Sequence, residues 1–273
     1  MKELLKRLIK IIRKKEIIPI ITPVENFNLL NEKVIFVLGG TGGIGLAIVK
    51  ELLNSGAKVI IGGTNEEKLR SVSQMLDSDS VRTIVLDIKD ISSFDDKIQQ
   101  IVLFFGKLDA FINSAGVHTE NVSFEKMTEK EFDRVIDVNL KGAFFLSQKI
   151  SLYMINNSVK GHILLISSSR GDEPAWTPYG ISKWGLNGFV KGLAQNLLPH
   201  GIIVNGIAPG PTATTLVGYK NGESIYSEEN SLGRLATVEE VAVFAKYLIS
   251  DVGNMTEGEI IHVSAGRGLF DIR

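Results

Sequence analysis

The sequence predicts an α/β protein built on a single doubly wound parallel sheet with helices on both faces. Three observations lead there. Short, wholly apolar runs alternate with segments of helical periodicity, which is how strands buried on both faces by helices read. A glycine-rich turn follows the first apolar run and opens directly into a helical segment. The chain has 273 residues, 44% hydrophobic and 22% charged, enough for one large core and far from a disordered composition.

The elements follow in order. Val34–Leu38 is a strand and Ile44–Leu53 a helix; Lys58–Ile61 is a strand and Glu66–Leu76 a helix. Val81–Leu86 and Ile91–Phe105 repeat the pattern, and Ala110–Ile112 is a short strand. Glu129–Leu140 and Ala143–Ile155 read as two helices, His162–Ile166 as a strand and Tyr179–Leu198 as a long helix. Ile202–Ile207, Val238–Ile249 and Glu259–Val263 close the chain as strand, helix and strand. There is no internal repeat and no second domain: residues 33–273 form the body, and residues 1–32 an N-terminal arm.

Composition excludes several functions. With no cysteine there is no disulfide, thiol nucleophile or thiolate metal site. His118, His162, His200 and His262 are scattered outside any metal-ligand spacing. A net charge of −1 proposes no nucleic-acid partner. No stretch reads as a membrane span or a secretory signal, so the expected compartment is the cytoplasm. The arm differs from the rest: Met1–Lys15 carries +6 against −7 for the remainder, with Leu4, Leu8, Ile11 and Ile12 at helical spacing. Membrane contact by this arm is one reading. Packing on its own subunit or a neighbour is favoured, because one short amphipathic helix binds membranes only marginally.

The turn reads Gly39-Gly40-Thr41-Gly42-Gly43-Ile44-Gly45. Glycines let backbone approach a pyrophosphate, and the helix N-terminus offers it N–H groups and the positive end of the helix dipole. The second strand ends Gly62-Gly63-Thr64-Asn65, without the acidic residue that would bind an adenine ribose 2′-hydroxyl. Gly63 leaves room for a 2′-phosphate and Thr64 and Asn65 can donate to it, with Lys68 one turn on; NADP is expected over NAD. Asp87, followed by Ile88 at the end of the third strand, could accept from the adenine amino group.

Tyr179 and Lys183 lie four apart in a helix and share a face. A lysine ammonium there is expected to favour the phenolate and lower the tyrosine pKa, making a proton donor or acceptor for carbonyl/alcohol interconversion. Ser167-Ser168-Ser169 ends the strand just upstream, where doubly wound sheets place ligands.

With these residues the chain resembles the short-chain dehydrogenase/reductase family, from about Lys33 to Gly266. Gly39, Gly43 and Gly45 match its cofactor motif. Asn113-Ser114-Ala115-Gly116 resembles its N-N-A-G segment, which supports the sheet beside the cofactor. Asn139 matches its helix asparagine, implied to hold a water in a proton relay. Ser168, Tyr179 and Lys183 match its catalytic serine, tyrosine and lysine. Pro209-Gly210-Pro211-Thr212-Ala213-Thr214 resembles the segment implied to hold the nicotinamide carboxamide through backbone near Thr212 and the Thr214 hydroxyl. The resemblance implies a Rossmann-like fold and a homodimer or homotetramer. The apolar load of Phe132, Phe144, Phe145, Leu186, Phe189 and Leu193 agrees with helices pairing across a two-fold axis.

The departures are specific. The motif threonine is Leu38, so its hydrogen bond across to Asn113–Gly116 is lost or rerouted. The Ser168 to Tyr179 spacing is short, and Arg170, Asp172, Glu173 and Trp176 should reshape the entrance. None of these removes a catalytic group. The expected activity is hydride transfer between a nicotinamide and a small-molecule carbonyl or secondary alcohol. A catalytically silent dinucleotide-binding sensor or scaffold is the alternative, and the intact Ser168, Tyr179 and Lys183 argue against it. A sugar-nucleotide epimerase is disfavoured, since roughly 60 residues after Pro209 are too few for its substrate domain. The segment Thr215–Leu232 is mostly polar and points to polar, small or sugar-like substrates.

Overall fold

The computed structural model describes residues 28–120, 123–220 and 222–270. The reading of a basic amphipathic helix at the N-terminus therefore lies outside the described residues. Seven parallel strands form one sheet in the order β3-β2-β1-β4-β5-β6-β7. They are β1 Val34–Leu38, β2 Lys58–Gly63, β3 Val81–Val85, β4 Ala110–Asn113, β5 His162–Ile166, β6 Ile203–Pro209 and β7 Ile260–Val263.

Seven α-helices cover the sheet: α1 Gly43–Asn54, α2 Glu66–Leu76, α3 Phe94–Phe105, α4 Glu129–Ile136, α5 Ala143–Asn156, α6 Pro178–Leu197 and α7 Val238–Leu248. Alternation along β1 divides the core. Val34, Phe36 and Leu38 face one apolar layer with Ile101, Leu146 and Leu186; Ile35 and Val37 face the other with Ile48, Leu69 and Val241. This two-sided burial is why the strands read as solid apolar runs. Leu30 already belongs to the second layer, fully buried, with its N–H on the Ser55 carbonyl.

Two features position the site. Strand order reverses between β1 and β4, which pair directly with Leu38 opposite Asn113. The connections from these strands leave to opposite sides, opening a crevice at their carboxyl ends. The second feature departs from the expected pair of separate helices. Asp137–Gly142 forms a π-helical turn that joins α4 to α5 in one continuous helix. Such turns commonly mark functional positions, and this one carries Asn139.

Candidate active site

A cleft of about 920 Å³ runs across the carboxyl ends of the strands. Its first wall is the turn from β1 to α1. Gly39 has φ +82, and a Cβ there would lie 2.7 Å from the Ala115 nitrogen; a Cβ at Gly45 would lie 2.2 Å from the Gly39 carbonyl. These two approaches demand glycine and fold the turn flat against Ser114–Ala115. Thr41, Gly42, Gly43 and Ile44 then line the cleft with Gly39, while Gly45 stays behind the turn as packing. Nothing lies within 4 Å of a Cβ built at Gly42. The flat, side-chain-poor cradle at a helix N-terminus fits a dinucleotide pyrophosphate.

Gly63 and Thr64 line the far end, as do Asp87 and Ile88. Asn65 does not: its Oδ1 accepts from the Lys68 N–H at 2.8 Å and caps α2. Its expected role as a phosphate donor is corrected to that of a helix cap, a use the sequence also permits. Lys89, which sequence reasoning missed, lines this end beside Asp87, with Nζ 3.9 Å from Oδ2.

The link expected of the motif threonine is rerouted through other groups. Ser114 N donates to the Leu38 carbonyl at 2.9 Å, and Asn113 Oδ1 accepts from Ala115 N at 3.1 Å. Asn113 is thus buried under the cleft, and Ala115 and Gly116 line it. At the other side Pro209, Gly210, Thr212 and Thr214 line the wall. Thr212 turns its hydroxyl back to the Gly210 carbonyl at 2.9 Å. The Thr214 methyl lies 3.4 Å from a Cβ position at Gly43, so the two ends of the cofactor segment meet.

Local folding sets the tyrosine. Thr177 Oγ1 caps α6 from the Gly180 N–H at 3.1 Å, and Pro178 occupies the first turn. Tyr179 N is left without a helical acceptor and donates to Thr119 Oγ1 at 3.0 Å. The ring lines the cleft with Ser168, Lys183 and Arg170. The three serines separate by partner: Ser167 gives its hydroxyl to Asn187 Oδ1, Ser169 is packed under the C-terminal segment at Gly268, and Ser168 faces Tyr179.

Electrostatics differ from the sequence expectation. Burial pushes the Tyr179 hydroxyl above its ordinary value, against a hydrogen bond with Ser168 and the Arg170 charge, which pull it down. Lys183 does not enter this balance. Its Nζ donates to the Ile166 carbonyl at 2.9 Å, lies 5.6 Å from the Tyr179 ring centre, and is lowered by burial to about 8. The expected lowering of the tyrosine by the lysine is therefore corrected: desolvation outweighs the Ser168 hydrogen bond and the Arg170 charge.

Asn139 is buried. Its Oδ1 accepts from Val117 N at 2.8 Å, and its Nδ2 donates to the Val117 carbonyl at 2.9 Å and Ser182 Oγ at 3.2 Å. The side chain is a clasp first. Yet a Cβ position at Gly116 lies 3.5 Å from Asn139 Oδ1 and 3.9 Å from Lys183 Nζ. The missing side chain of Gly116 leaves a water-sized space between the two groups.

His118, Arg134, Glu229 and Arg267 also line the cleft and were not singled out as site residues. Arg267 holds Glu173 at 2.8 Å and also pairs with Glu229, tying the C-terminal segment to two loops. Of the residues expected to reshape the entrance, Arg170 lines the cleft. Asp172 instead fastens Asn187 and His262, and Glu173 fastens Arg170 and Arg267. Trp176 faces the Phe124 ring outside it.

The buried lysine has a consequence for stability. Its pKa falls from 10.5 to about 8 on folding, so the unfolded chain holds more protons across that window and this group favours folding more as pH rises through it. Below about 8 it is charged in both states, and its burial opposes folding in full. Lys183→Met is expected to raise the melting temperature of the cofactor-free protein at pH 7, by a margin that shrinks toward pH 10.5. Thermal melts at both pH values check this; a lower melting temperature at pH 7 refutes it.

The match to known proteins covers this whole arrangement. The family described as short chain dehydrogenase matches residues 33–224. The 3-oxoacyl-(acyl-carrier-protein) reductase FabG of Aquifex aeolicus is 32% identical over 244 residues, 87% of this chain and 98% of that protein. The 3-ketoacyl-(acyl-carrier-protein) reductase of Brucella melitensis, solved with NADH, is 26% identical, with a TM-score of 0.79 over 88% of this chain and 99% of that one. ElxO, solved with NADP, is 26% identical, with a TM-score of 0.80 over 86% and 98%. A glycine cradle, a Ser-Tyr-Lys wall and an asparagine clasp on one seven-stranded sheet thus coincide with a match over most of the chain, which belongs to the short-chain dehydrogenase/reductase family.

Proposed function

We propose that the protein is a nicotinamide-dependent oxidoreductase that interconverts a small-molecule carbonyl and the corresponding secondary alcohol. The convergence of Ser168, Tyr179 and Lys183 on one wall of a cleft that begins at the glycine cradle carries this reading. The cofactor, once bound, supplies or accepts the hydride. The protein supplies everything else. Ser168 holds the substrate oxygen, and Tyr179 gives it a proton in reduction. Lys183 binds the nicotinamide ribose and stabilises the tyrosine as it loses that proton. Asn139 Oδ1, Lys183 Nζ and a water above Gly116 return a proton to the tyrosine. Burial pushes the Tyr179 hydroxyl up, toward the protonated form that acts as the acid in reduction.

Tyr179→Phe is expected to lower turnover of any carbonyl substrate by at least about 10²-fold, with cofactor affinity near wild type. Nicotinamide absorbance on a panel of carbonyls and alcohols reads this; an active Tyr179→Phe protein would remove the mechanism. Gly116→Ala fills the water space at ordinary contact distances, so it should lower kcat while the melting temperature holds. Unchanged kcat would exclude the relay.

The cofactor reading is NADP over NAD. The absence of a carboxylate at Gly63-Thr64 and the presence of Lys89 at that end support it. Titrating both cofactors should give tighter NADP(H) binding, and Gly63→Asp should reverse the order. A clear NAD(H) preference in the wild type sinks this.

The protein assembles, on our reading, as a homodimer or homotetramer through the α4–α5 helix and α6. Leu186 is core, but Phe144, Ile181 and Trp184 stay 41%, 39% and 49% exposed, and nothing lies within 4 Å of a Cβ at Gly188 or Gly192. An apolar face with open small residues supports close helix approach across a two-fold axis. Light scattering at micromolar concentration should give a multiple of the chain mass; a monomer refutes it. A cytoplasmic location goes with this reading. Among the described residues no helix is long and apolar enough to cross a membrane.

A further inference from the structure

The segment Val117–Glu120 is anchored at every residue. Val117 is held at both backbone groups by Asn139. The His118 carbonyl accepts from Arg134 Nη2 at 2.7 Å, and Thr119 Oγ1 accepts from Tyr179 N at 3.0 Å. Glu120 N donates to Glu131 Oε1 at 2.7 Å, and Glu131 in turn holds Arg134 through both oxygens, at 2.7 and 2.9 Å. Four consecutive residues are thus fixed to the α4–α5 helix and α6, a degree of restraint unusual for a loop. Of their side chains, that of His118 faces the cleft as an exposed polar ring.

That ring is held in turn. It stacks on Tyr179 with centroids 4.3 Å apart and planes inclined by 26°. Its Nδ1 lies 3.0 Å from the Thr119 carbonyl. A carbonyl oxygen only accepts, so Nδ1 carries the proton, and Nε2 of the neutral ring presents a lone pair. Nε2 has no protein partner among the described residues. A hydrogen-bonding atom on a ring stacked against Tyr179 and left for something in the cleft selects a substrate group.

We infer that His118 is a specificity-determining residue, whose Nε2 accepts a hydrogen bond from a substrate hydroxyl next to the carbonyl being reduced. The substrate class is then the α-hydroxy ketones and their vicinal diols, including small polyols. The assignment rests on the oxidoreductase reading above and deepens it. With the carbonyl oxygen held by Tyr179 and Ser168, the substituent of the adjacent carbon on the stacked side meets the imidazole. The surroundings agree with a polar ligand: Arg134, Arg170, Glu229 and Arg267 line the same end of the cleft. A hydroxyl satisfies Nε2 in either protonation state, donating to the neutral ring and accepting from the charged one. A plain methylene satisfies it in neither, and a thioester, which only accepts, leaves the neutral ring's lone pair unmatched.

The test compares matched substrates at pH 8. The probes are 3-hydroxybutan-2-one against butan-2-one, dihydroxyacetone against acetone, and an acetoacetyl thioester as an unrelated 3-oxo substrate. Wild type should favour the hydroxylated member of each pair by about threefold to tenfold in kcat/KM, the net worth of one hydrogen bond made by one substrate and not by the other. His118→Phe keeps the stack and removes the acceptor. It should erase the preference through a higher KM for the hydroxylated ketone, with the plain ketone unchanged. His118→Gln, which restores an acceptor, should recover part of it. Equal rates on both members, an equal loss on both in His118→Phe, or a preference for the thioester with His118→Phe at wild-type rate would overturn the assignment and leave the oxidoreductase standing. Turnover of no probe by wild type would overturn the assignment alone, since the broader panel of carbonyls and alcohols tests the oxidoreductase.

Discussion

The clasp between Asn139 and Val117 is the contact on which the site depends. It is buried, it uses both polar atoms of the amide, and it joins the loop leaving β4 to the helix spanning Glu129–Asn156. A third bond to Ser182 extends it into α6, where Ser182 Oγ donates to the Tyr179 carbonyl at 2.7 Å. The loop at the carboxyl end of β4, the π-turn and the first turn of α6 therefore share one hydrogen-bond network. A buried network of this kind favours a single arrangement, because each group left unmatched costs about 1–3 kcal/mol. The π-turn is what brings Asn139 to face Val117. Its position inside an otherwise regular helix is explained by that contact rather than by local propensity.

The anchored loop and the serine loop form the two sides of the same slot. On one side Val117–Glu120 carries His118 against Tyr179. On the other, Ser167 and Asp172 are tied through Asn187, and Asp172 reaches His262 on β7 at 2.9 Å. Arg267 then draws the C-terminal segment over Glu173. Few of these bonds run between groups of the reaction. They fix the walls, so that Ser168 and Tyr179, in the roles proposed for them, would meet a substrate without first being ordered.

Much of this was legible in the sequence, for identifiable reasons. Strands buried on both faces are wholly apolar, so β1, β2 and β5 could be placed within a residue or two. Gly39 and Gly45 were legible as glycines the turn requires, because a Cβ at either would lie under 3 Å from backbone, but the expected cofactor contact of Gly45 is corrected to packing behind the turn. Other features had no local signal. Asn65 fits both a phosphate site and a helix cap, and only the position of Lys68 N decides between them. Arg267 reaches the cleft from the chain's far end, a contact between residues 94 positions apart that no periodicity encodes. His118 follows Asn113–Gly116 by two residues and could have been named, but its stacking on Tyr179 depends on the α4–α5 helix. The sign of the Tyr179 shift depends on how deeply the ring and Lys183 are buried, which spacing alone does not contain.

In the mechanism we propose, that sign changes how the lysine acts. Were Lys183 to lower the tyrosine pKa in the resting protein, it would weaken the acid that reduction needs. Here burial raises the tyrosine and lowers the lysine, so the resting pair is held toward its neutral forms. The balance shifts as the proton leaves. A phenolate forming in a desolvated slot interacts with a nearby ammonium more strongly than it would in water. Lys183 is one helical turn away on the same face, fixed by the Ile166 carbonyl and unable to withdraw. Its charge is thus of little effect on the ground state and of growing effect as the transition state is approached. Only interactions of that differential kind accelerate a reaction. The desolvation that makes Lys183 a burden on folding is the same property that lets it act on Tyr179 when the proton moves.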